Sequence, residues 1–232
     1  MTPEEKPVLT RMTVLVEQWE AAHDRRAIFL RCYRLMTRNM LEAIDAGRFQ
    51  DDAWVSQLLH RFAEYYFDAL GCYDQNRLDA PAVWQLAFDA TRDEDVTTLQ
   101  HLLLGVNAHI NFDLVFTLVD QLAPEWAALT DERRAQRHAD HTLVNRIIGE
   151  TIDVVQDQVI EQFSPWTNWL DKLLGPVDEW LISRLISHWR EEVWDNAVRH
   201  LEAATPEERD ALRQRVEEQA VRLGSDMLKI RS

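Results

Sequence analysis

The segment LLLGVNAHINFDLVF, Leu102 to Phe116, is apolar on nearly every turn and contains no proline. A helix that is apolar all round is buried all round, so this stretch dictates the plan of the molecule. One central helix, at about residues 94–120, must be wrapped by others. Four polar side chains, Asn107, His109, Asn111 and Asp113, nevertheless sit inside it. A buried polar group left without a partner costs about 1–3 kcal/mol. Each of the four therefore needs either a partner or a function.

The rest of the chain supplies the wrapping. Only six glycines and seven prolines interrupt 232 residues, and stretches of alternating β-branched residues are few. That pattern is all-α, and it predicts a single domain over residues 1–232 with eight or nine helices. Helices are expected from Val8 to His23, from Arg25 to a stop at Gly47, and from an Asp51 or Asp52 cap to about Gly71. A shorter one follows Pro81, and the central helix starts near Glu94 and stops before Pro124. Thr130 caps a helix running to about Phe163, SPWTNWLDKLLGP is a short helix or connector, and a long helix runs from Pro176 to about Ala203. Thr205, Pro206 and Glu208 form the capping box of the last helix.

Composition removes several function classes. No run of about 18 uncharged apolar residues is present, so no membrane span is expected. The start, MTPEEKPVLT, lacks a basic region followed by an apolar one, so no signal peptide is expected either. Cys32 and Cys72 have neither metal-type spacing nor a disulfide framework, which suits a reducing cytoplasm. A formal net charge of −15 is the wrong sign for nucleic acid or an anionic membrane. An unknown small-molecule substrate or ligand is expected, with a partner-binding role as the alternative. No Gly-x-Ser-x-Gly, phosphate-binding glycine loop or His-Glu-x-x-His element occurs. The nine tryptophans include Trp166, Trp169, Trp180 and Trp189 around the connector, where packing explains them more simply than a pocket does.

At about 100° per residue, the central helix resolves into two polar stations. His109 and Asp113 share one face, with Asp120 below them, while Asn107 and Asn111 pair on nearly the opposite face beside Gln100. On the following helix, Asp140 and His141 head an inward face and Asn145 sits at its edge. Long helices joined by a short loop are expected to lie antiparallel, which would carry Asp140, His141 and Asn145 toward the His109–Asp113 station. His109, Asp113, Asp140 and His141 have the donor chemistry of a site for Zn, Mn or Fe. Two further His/acid pairs, His60/Glu64 and His188/Glu192, differ in setting. The first lies on a polar face, and His188 flanks an apolar one, so His188 joins Asn107, Asn111 and Asn145 as a candidate polar core residue.

These residues carry a resemblance. LLLGVNAHINFDL resembles the G-x-N-A-H-I-N-x-D-L hallmark of a bacterial family of unknown function. FAEYYFDAL, PAVWQLAFDA, DHTLVN and VWDNAVRHL are similar to its other segments, in the same order and over most of the chain. The resemblance implies an all-helical fold and no activity. A weaker resemblance, to the helical zinc-dependent phospholipase C and single-strand nuclease superfamily, rests on the His-x-x-x-Asp spacing of His109/Asp113. The chain departs from that superfamily in having no second inward pair of this kind and no N-terminal Trp ligand.

The residues support two functional expectations. In one, a divalent ion held by His109, Asp113 and Asp140 or His141 activates water for attack on an ester or phosphoester, with Asp113 or Asp140 as general base. In the other, the protein is non-catalytic, binds a ligand or partner, and uses its polar core to set helix register.

Overall fold

The computed structural model describes residues 6–155 and 176–229, and the described residues form eight α-helices and no strand. They are α1 (Pro7–Ala21), α2 (Arg26–Asp45), α3 (Asp52–Gln75), α4 (Ala82–Ala90), α5 (Thr98–Leu122), α6 (Asp131–Val155), α7 (Pro176–Glu202) and α8 (Pro206–Lys229). The expected end of α6 near Phe163 and the connector with Trp166 and Trp169 lie outside the described residues.

Local chemistry explains most boundaries. Asp51 accepts the Trp54 N–H at the start of α3, and Gly47 takes a φ of +66° just beyond α2. Thr205 and Glu208 bond reciprocally ahead of α8. Two boundaries differ from expectation. The central helix starts at Thr98 rather than near Glu94, because Thr97 and Gln100 form a capping box there. α3 runs through Gly71 to Gln75. A helical glycine costs only about 1 kcal/mol relative to alanine, and carrying on buries Tyr73.

One apolar cluster extends from Val8 in α1 to Met227 in α8. α5 lies at its centre: the first half packs on α2, α4 and α8, and the second on α3 and α7. Thr98–Leu122 is long and apolar enough to cross a membrane, yet 72% of its most apolar window is buried inside the protein. Two glycines permit the close approaches. A Cβ at Gly105 would fall 2.4 Å from the Phe29 ring of α2, and one at Gly224 would fall 2.8 Å from Leu86 and 3.3 Å from the Asn107 amide.

The antiparallel pairing expected between α5 and α6 does not form. After the turn at Trp126–Ala128, α6 makes its main contacts with α2 and α7. Between these elements lies a cavity of about 140 Å³, walled by α2, α3, α5, α6 and α7.

Candidate functional site

The centre of α5 is not α-helical. His109–Asp113 forms a π-helical turn, closed by the Leu114 N–H donating to the His109 carbonyl. Such wide turns inside α-helices are rare and concentrate at functional sites. The turn coincides with the polar residues that made this helix anomalous as a sequence. It also changes the helix phase, so a uniform 100° step misplaces the residues beyond it. Asp120, expected below His109, is at the surface, where it accepts from Arg61 and the Tyr65 hydroxyl.

His109 and Asp113 are 3% and 1% exposed, and His109 Nδ1 lies 3.0 Å from Asp113 Oδ2. The Trp84 indole N–H of α4 donates to both Asp113 oxygens at 3.0–3.1 Å. Phe62 stacks on the imidazole with ring centres 3.5 Å apart, and Tyr33 meets it edge-on at 4.2 Å. In this aromatic box, burial pushes the imidazole well below its usual pKa. Burial likewise pushes the Asp113 carboxyl well above the usual carboxylate range, only partly opposed by the Trp84 N–H. Both directions disfavour charge. The donor in the contact between Nδ1 and Oδ2 is set by the imidazole tautomer. Nε2 has no hydrogen-bond partner.

His109 lines the interhelical cavity, whose walls are otherwise apolar except for Cys32, Tyr33, Thr37 and Arg190. On the α2 wall, the Tyr33 hydroxyl and Thr37 Oγ1 interact with each other and find no further partner among the described residues. Cys32 is buried and its thiol is pushed up to about 12, so it supplies no thiolate.

The other candidate residues go elsewhere. Asn107 donates to the Ala220 carbonyl of α8 and accepts from Asn111, so this station ties α5 to α8. Asp140 accepts the backbone N–H groups of Gln50 and Asp51 at 2.8 and 3.0 Å, holding the turn into α3. His141 donates from Nε2 to the Arg190 carbonyl and accepts at Nδ1 from the Arg190 guanidinium. Asn145 accepts from Arg190 Nε. Asp140 and His141 thus spend their donor atoms on α3 and α7 because α6 packs there, not against α5. Among the described residues, no three His, Cys, Asp or Glu side chains are grouped to hold a metal ion. The four-residue centre expected from His109, Asp113, Asp140 and His141 is therefore not assembled. His188 is no core residue either: its side chain is 68% exposed and lies 3.6 Å from Glu192 on the surface of α7.

Sequence reasoning missed Trp84, which anchors Asp113, and Arg190, which anchors the Asp140–Asn145 segment. Neither carries a local signal, since a tryptophan or arginine inside an amphipathic helix is ordinary until its neighbours are known. The buried histidines have a measurable consequence. His141 is held well below the usual imidazole pKa by burial and by Arg190, and burial brings His101 down to about 4. Below an unfolded pKa of about 6.5, the unfolded chain binds protons at these sites that the folded one does not. Stability is therefore expected to fall as pH drops from 6.5 toward 4, by up to about 1.4 kcal/mol per pH unit for each histidine. His109 acts in the same direction and Asp113, with its raised pKa, in the opposite one. Urea denaturation at pH 7.5, 6.0 and 5.0 measures this slope, and His101→Gln should flatten it. A profile flat to pH 5 in the unmodified protein would contradict the assignment.

No curated protein and no solved structure matches this chain. A family model does match, over residues 6–230 of the 232. The chain belongs to the family of unknown function DUF5995.

Proposed function

We propose that this protein is a non-catalytic binder of a small apolar molecule that carries a hydrogen-bonding oxygen. The observation behind this reading is His109 Nε2, a buried ring nitrogen without a partner among the described residues, on the wall of an otherwise apolar cavity. An apolar cavity of about 150 Å³ stays dry and takes up a benzene molecule, and this one is about 140 Å³. A ligand with an apolar body would fill the space, and its oxygen would satisfy the imidazole. The Tyr33 and Thr37 hydroxyls offer further donors on the neighbouring wall. The Asp113–His109–Trp84 chain then acts as a support that fixes the imidazole's tautomer and direction. Metal-assisted hydrolysis is less well supported, since Asp140 and His141 are committed to backbone and Arg190 partners.

Calorimetric titration and thermal denaturation with benzyl alcohol, hexanol and toluene test the reading. Saturable binding is expected, with the two alcohols ahead of toluene. A ligand at 100 times its Kd should stabilise the fold by about 2.7 kcal/mol. In His109→Phe the preference for the alcohols should vanish. Absence of saturable binding to the unmodified protein, or a preference that survives His109→Phe, would refute it.

A further inference from the structure

Arg190 is 4% exposed, and among the described residues its guanidinium is bound by neutral groups: the Asn145 side-chain oxygen, the His141 carbonyl and the His141 ring. Among the described residues, no carboxylate lies within ion-pairing distance of it. This is an unusual state for an arginine. Buried charges are ordinarily paired, because taking an ion out of water is costly and neutral hydrogen bonds repay only part of that cost. The contrast within the same helix pair is direct, since Arg137, equally buried, is held by both Asp51 and Glu125.

Arg190 also lines the cavity that holds His109. The geometry points to a ligand that brings the missing negative charge: we infer that the cavity takes a small monocarboxylate with an apolar body, its carboxylate paired with Arg190. This inference rests on the cavity being a binding site, as proposed above, and adds the class of ligand. With Nε spent on Asn145 and Nη2 on His141, Nη1 is the nitrogen left to meet a carboxylate, and such charge-assisted bonds are stronger than neutral ones. Asn145 and His141 bond Nε and Nη2, so the group is held before a ligand arrives. Burial lowers the Arg190 pKa to about 10, with the Glu191 charge acting the other way, which leaves it protonated at neutral pH.

The test is a calorimetric comparison of matched pairs on the full-length protein: benzoate against benzyl alcohol, and hexanoate against hexanol, at one ionic strength. Each carboxylate is expected to bind at least tenfold more tightly than its alcohol. In Arg190→Lys, which keeps the charge but loses the bonds to Asn145 and His141 that orient it, the carboxylate advantage should shrink. In Arg190→Met it should disappear while the alcohols still bind. If the alcohols bind as well as the carboxylates to the unmodified protein, the inference falls and the cavity reading stands. If no member of either pair binds, both fall together. Because the pairs are compared first on the unmodified protein, the result stands even where a variant fails to fold.

Discussion

Asp113→Ala is expected to lower the stability of the fold by about 3 to 5 kcal/mol, since it strips the partner from two buried groups at once. The Trp84 N–H donates to both Asp113 oxygens and His109 Nδ1 faces one of them, with all three residues enclosed. Asp113→Asn keeps one oxygen for Trp84 and one polar contact for His109, so it should lose roughly half as much. Urea unfolding followed by tryptophan fluorescence gives both numbers. An Asp113→Ala protein as stable as the unmodified one would show that the network is not structural. It would reopen the case for a catalytic carboxylate, because groups placed for chemistry are often removed at no cost to the fold.

Asp140→Ala separates the two functional readings in the same way from the other end. As a general base, Asp140 would be dispensable to folding. In the structure it accepts two consecutive backbone N–H groups, from Gln50 and Asp51, and is 1% exposed. Its removal should cost about 2 to 4 kcal/mol. The loss should concentrate at the α2–α3 turn, where Asp51 also caps α3 and binds Arg137. Amide hydrogen exchange should show residues 48–54 losing protection before the rest of α3 does. A uniform loss across the molecule would mean that Asp140 supports something other than this turn.

Much of the fold is legible in the residues. Apolar spacing, the scarcity of breakers and the caps at Asp51 and Thr205 mark the helices. The all-round apolar character of Leu102–Phe116 marks the one they surround. The site is legible only in part. His109 and Asp113 stand four apart and do bond, and Asn107 and Asn111 are the same kind of local pair. Spacing of this sort is a property of one helix, so a sequence displays it. What each station meets across the core is a property of two helices and is not displayed. The expected meeting of Asp140 and His141 with the His109 station assumed that consecutive helices pair. α6 leaves its neighbour for α2 and α7, and its polar residues go with it.

The π-helical turn at His109–Asp113 could not be read from spacing either, because it departs from the period on which such reading depends. By itself the sequence determined that this chain is helical, that α5 is its core, and that four polar side chains there require an account. Periodic burial is a local and repetitive signal, and it survives any arrangement of the remaining helices. Only the tertiary structure decided that Trp84 completes the Asp113 pair, that Arg190 is buried without a counter-ion among the described residues, and that a cavity separates α5 from α6. Those facts depend on distances between residues far apart in the chain, set by close contacts such as Phe29 on Gly105.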